Sequence, residues 1–104
     1  MTTSDPDASI VDNVSEHRFE TRVDGHLAFL EYHQNGNRFV IVHTEVPDAL
    51  SGRGIAGALI EKAIQKAADA DLVGVPNCPF AHGWLERHPE VAGRVTIDWP
   101  EPSP

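Results

Sequence analysis

Ser51-Gly52-Arg53-Gly54-Ile55-Ala56-Gly57 lies between an extended segment and an amphipathic one, and its three glycines and single arginine organise the chain on either side. Glycine lets the backbone bend sharply and lets a ligand come close to the main chain. The first N–H groups of a helix have no internal partners, and the helix dipole favours negative charge beside them. A glycine-rich turn that opens a helix is therefore a candidate cradle for phosphate.

Upstream of this turn, Arg38-Phe39-Val40-Ile41-Val42-His43-Thr44-Glu45-Val46 is rich in β-branched residues and predicts a strand that Pro47 ends. Two earlier strands are expected at Arg18 to Val23 and His26 to Tyr32. Asp24-Gly25 between them is a hairpin signal, and Asn35-Gly36-Asn37 marks the next turn. The three strands form an antiparallel meander. Downstream, Gly54 to Ala70 predicts a helix with Ala56, Leu59, Ile60, Ala63, Ile64 and Ala67 on one face and Glu61, Lys62, Gln65, Lys66 and Asp69 on the other. Leu72-Val73-Gly74-Val75 suits a buried strand, parallel to the third across that helix. A second helix is expected over Pro79 to Arg87 and a last strand over Val95 to Trp99. The order is βββαβα(β), an α/β (α+β) fold with a mixed sheet. Met1 to Val14 and Pro100 to Pro104 are expected as flexible tails around one domain at 15–99.

Composition narrows the partners. Sixteen acidic against eight basic residues give a formal net charge of −8, which speaks against nucleic acid and anionic membrane surfaces. One cysteine, Cys78, excludes an internal disulfide. The polar, acidic N-terminus is unlike a signal peptide and no stretch is long enough to cross a membrane, so a cytosolic setting is expected.

Among phosphate-binding turns, Gly52-x-Gly54-x-x-Gly57 satisfies the dinucleotide pattern G-x-G-x-x-G. Its context differs: Pro47 to Leu50 intervene after the strand, no acidic residue stands at the ribose-binding spacing, and the remaining chain cannot complete a doubly wound sheet. No Gly-Lys-Ser/Thr follows, which excludes a Walker loop.

Val46 to Leu59 resembles the acetyl-CoA loop of the GNAT N-acetyltransferase superfamily, in which Gln/Arg-x-x-Gly-x-Gly/Ala opens a helix after a strand. Gly54 and Ala56 match; Ser51 stands where Gln or Arg is usual, and Arg53 is placed to supply charge instead. His43-Thr44-Glu45-Val46-Pro47, Gly52-Arg53-Gly54-Ile55-Ala56 and Pro76-Asn77-Cys78-Pro79-Phe80 together are similar to the motifs of a small stand-alone GNAT-like subfamily. The resemblance implies a minimal GNAT-like fold binding acetyl-CoA where the third and fourth strands splay apart. It implies pyrophosphate on the N–H groups of Arg53, Gly54, Ile55, Ala56, Gly57 and Ala58 beside Gly52. Pantetheine would then follow Glu45 and Val46, with Asn77 and Cys78 near the acyl end.

Pro79 steers the residue before it away from the α region, so Cys78 is expected at the cap of the second helix. There its sulfur would face unpaired N–H groups, with His82 on the same side, a setting that favours thiolate. Cys78 is thus a candidate nucleophile that takes the acetyl group and passes it on. The alternative is a small buried cysteine packed on Phe80 and Leu85.

The resemblance also implies Glu45 as general base, and His43, on the same strand face, is the second choice. It implies a tyrosine acid on the second helix, where this chain has Gly83-Trp84-Leu85; its one tyrosine, Tyr32, is in the second strand. The helices that usually build the amine site between the first strands are missing, so either the acceptor is large and exposed, such as a protein amine, or the protein does not transfer to an amine at all. Cys78, His82 and His88 supply too few ligands for a metal site. Two functions follow: an N-acetyltransferase acting on an unidentified acceptor, or a non-catalytic acetyl-CoA-binding module.

Overall fold

A computed structural model describes residues 9–100. In it, five strands form one mixed sheet in the order β1-β2-β3-β4-β5. They are β1 (Val11–Asn13), β2 (Arg18–Val23), β3 (His26–Asn35), β4 (Arg38–Glu45) and β5 (Val73–Pro76). The helices are α1 (Ile55–Asp69), α2 (Pro79–Arg87) and the short α3 (Pro89–Ala92). β1 to β4 pair antiparallel, and β5 lies parallel to β4. Parallel neighbours need a crossover, which α1 supplies. This is the expected mixed α+β architecture.

The hairpin between β2 and β3 turns on Asp24 (φ 51°) and Gly25 (φ 79°). Two consecutive positive φ values match the right-handed twist of the flanking strands. Alternation then sends Phe19 and Thr21 of β2, Ala28, Leu30 and Tyr32 of β3, and Phe39 and Ile41 of β4 to the buried side. Leu59, Ile60, Ala63, Ile64 and Ala67 of α1 pack into the same core. Ala56, expected on that buried face, is only partly buried, and Ile55 and Ala58 take its place.

Three features depart from expectation. Within the expected N-terminal tail, Val11, Asp12 and Asn13 form a strand and pair with Glu20, Phe19 and Arg18. Asp12 explains the attachment. Its carboxylate accepts from Tyr32 Oη at 2.6 Å and from Lys66 Nζ at 2.5 Å, tying β1 to β3 and α1. That hydrogen bond raises Lys66 above the usual lysine range, while burial, reinforced by Asp12, raises Tyr32. Residues 1–8 and 101–104 of the two expected tails lie outside the described residues. Second, the expected last strand is reduced to one bridge, Ile97 parallel to Gly74, with Arg38 holding Asp98 at 2.7 Å. Third, a short helix not expected from the sequence, α3, follows α2 and begins at Pro89.

The sheet is irregular at one place. Tyr32 opposes Ile41 but Glu31 opposes His43, so Val42 is an extra residue in β4, a bulge. Pairing with β5 stops at the same point, Ile41 opposite Pro76. The N–H groups of Asn77 and Cys78 both donate to the Ile41 carbonyl, and the chain then turns into α2. β4 continues alone on that side to Glu45. Among the described residues no helix is long and apolar enough to cross a membrane.

Candidate functional site

A cleft of about 370 Å³ lies where the glycine turn meets the end of β4. The turn itself forms the first wall. Gly52 (φ 79°) and Gly54 (φ 76°) adopt the left-handed conformation that side chains resist. A Cβ at either would meet nothing within 4 Å, so the space beside both is open. Gly54 caps α1 without a side chain, leaving the N–H groups of Ile55, Ala56 and Gly57 in the unpaired first turn beside the cleft. With the positive end of a fifteen-residue helix behind them, these donors suit an anion.

Two residues of the expected phosphate set stand apart. Ala58 faces the core, and its N–H donates to the Gly54 carbonyl at 3.1 Å. The Arg53 side chain pairs with Asp24 Oδ2 at 2.8 Å, at the β2–β3 hairpin, and does not line the cleft. The charge expected from Arg53 is therefore directed at the hairpin.

Gly57 is a different case from the other two glycines. Its backbone is helical, and a Cβ there would lie 2.9 Å from Trp84 Nε1 and 3.0 and 3.1 Å from neighbouring indole carbons. The absence of a side chain at Gly57 lets α2 approach α1. Trp84 and Phe80, one turn apart on α2, thereby form the second wall, and Val46 and Leu50 contribute apolar surface between the walls.

The candidate catalytic residues divide between the two sides of β4. His43 Nε2 lies 2.9 Å from Glu45 Oε1, both about half exposed, and the His43 ring packs near Phe29. Thr44, between them, projects to the other side and accepts the Cys78 thiol hydrogen bond at 3.6 Å. Cys78 caps α2 as expected, with φ −79° and ψ 124°, but its side chain makes no capping bond. The sulfur is turned to Thr44, not to the helix N–H groups. It is 4% exposed and packs within the core cluster that also holds Leu85. His82 does not join it: its imidazole lies 3.5 Å from Glu86 and packs edge-on to Trp99.

Sequence reasoning missed Thr44 and assigned no role in the cleft to Leu50, Phe80 or Trp84. The i,i+4 spacing of Phe80 and Trp84 was visible; that it faces Gly57 depends on how α2 crosses α1. Among the described residues no three His, Cys, Asp or Glu side chains gather as a metal site.

Comparison with known proteins covers this same region. Residues 18–94, from the start of β2 to just beyond α3, match the family described as GCN5-related N-acetyl-transferase. The chain is 36% identical to Protein NATD1 of Mus musculus over 75 residues, 69% of this chain and 68% of that protein. It is 36% identical to Protein NATD1 of Xenopus tropicalis over 90 residues, 82% of this chain and 83% of that protein.

Proposed function

This chain belongs to the GCN5-related N-acetyltransferase family, and from that premise we propose that it binds acetyl-CoA in the glycine-turn cleft and transfers the acetyl group to an amine. The observation that carries this reading is the cleft that sets the α1 N-terminus beside Val46, just past the end of β4, with Phe80 and Trp84 of α2 opposite. The open space at Gly52 and Gly54 suits a pyrophosphate approaching the main chain, and the N–H groups of Ile55, Ala56 and Gly57 suit its charge. Val46 offers apolar surface for the pantetheine arm.

Acetyl-CoA supplies an activated acyl group, a thioester whose carbonyl carbon takes the incoming nitrogen as the C–S bond breaks. In this reading Glu45 takes the proton that the amine must lose, and the His43 imidazole, hydrogen-bonded to it, orients the carboxylate. Cys78 is the candidate relay. Its sulfur would take the acetyl group, releasing the CoA thiol, and the amine would then displace the Cys78 thiol.

A second reading, a cofactor-binding module without turnover, is favoured by one observation. Trp84 occupies the α2 stretch where an acid tyrosine is expected, and an indole N–H donates a hydrogen bond but does not act as an acid. Incubation with acetyl-CoA, followed by intact mass and calorimetry, separates these readings. A stable added acetyl group that disappears in Cys78→Ala supports the relay. Binding without added mass but with turnover on a lysine peptide or polyamine supports direct transfer. Binding without either supports the module, and no binding refutes both.

A further inference from the structure

Trp84 is fixed more firmly than a surface aromatic on a helix of nine residues needs to be. On one side it is seated against the bare backbone of Gly57, the third residue of α1. On another the His88 ring stacks on it, with ring centroids 3.8 Å apart and planes inclined by 11°. His88 is itself held by its Nδ1, 2.7 Å from the Trp84 carbonyl oxygen. The Trp84 indole N–H makes no hydrogen bond among the described residues, although it lies beside the unpaired first turn of α1. Phe80, 47% exposed, extends the same wall toward solvent.

We propose that Trp84 is a cofactor-contacting residue: its indole covers the ligand's apolar arm, and its Nε1–H donates to a phosphate oxygen held at the α1 N-terminus. This rests on the acetyl-CoA reading of the same cleft and adds to it a side-chain donor where Arg53 is engaged elsewhere. Gly57 and His88 act through Trp84. Gly57 makes room for the ring, and His88 holds its plane, so the donor is oriented before the ligand arrives.

Free CoA is the probe, because it binds without turnover. Tryptophan emission and calorimetric affinity are read on the wild type, Trp84→Phe and Trp99→Phe, the chain having two tryptophans. Trp84→Phe keeps an aromatic wall and removes the donor. It is expected to weaken CoA about tenfold, the size of one charge-assisted hydrogen bond. The emission change on binding is expected to persist in Trp99→Phe and to vanish in Trp84→Phe. Wild-type binding with equal affinity in Trp84→Phe overturns the assignment while leaving the cleft as the CoA site. Failure of the wild type to bind CoA overturns the reading beneath it.

Discussion

Adding one methyl group at Gly57 tests whether that glycine exists for the helix contact. In an ordinary helix Gly→Ala stabilises by about 0.5–1 kcal/mol through reduced chain entropy. Here the new Cβ would fall 2.9 Å from Trp84 Nε1 and 3.0 Å from a second ring atom, closer than side chains normally approach. Moving a ring already stacked on His88 is overpacking, which costs about 1–3 kcal/mol. The sum is a destabilisation of roughly 0–2.5 kcal/mol in the wild type. Trp84→Ala removes the obstacle, so in that background Gly57→Ala is expected to stabilise by about 0.5–1 kcal/mol. Urea denaturation of the four proteins in the cycle reads the difference directly, a coupling of about 1–3 kcal/mol. Equal effects of Gly57→Ala in both backgrounds would refute the packing account.

Two further predictions concern the β1 anchor and the turn. Lys66 and Tyr32 both have folded-state pKa values above their unfolded ones, so their contribution is fully present below about pH 10 and is lost as pH rises through the folded values. The urea midpoint is expected to fall above about pH 10, and Asp12→Asn to flatten that fall; an unchanged alkaline profile in the variant sinks the assignment. At the turn, Gly54→Glu places a carboxylate beside unpaired N–H groups at φ 76° and is expected to abolish CoA binding measured by calorimetry. The left-handed backbone costs the variant about 1–2 kcal/mol, so circular dichroism must show it folded. Unchanged affinity in folded protein removes the turn from the site.

Much of the fold was legible because local chemistry and tertiary packing agree. Asp24-Gly25 is one of the few dipeptides that tolerates two positive φ values, so the β2–β3 hairpin is written in two residues. The Ile55–Asp69 helix announces itself by apolar spacing and by the glycine turn before it. β1 was hidden because three residues carry little periodicity. Its anchor, Asp12, finds Tyr32 and Lys66 at separations of 20 and 54 residues. The bulge at Val42 was hidden for the opposite reason: Val40-Ile41-Val42 looks like uninterrupted strand, and register depends on the partner.

The same limit applied to the site, where residue types were readable and directions were not. Cys78 was rightly expected at a helix cap, yet which way its sulfur turns depends on Thr44, thirty-four residues away. That distinction bears on chemistry. Thr44 faces Cys78, while His43 and Glu45 project from the other side of β4, so the thiol and the carboxylate do not form one hydrogen-bonded unit. A relay through Cys78 and a direct transfer promoted by Glu45 therefore draw on separate parts of the structure. Loss of the acyl adduct in Cys78→Ala, with amine transfer intact, would make the thiol a side route and leave Glu45 with the productive one. Loss of both together would require the acyl group to pass across the end of β4, at the place where β5 has already turned away.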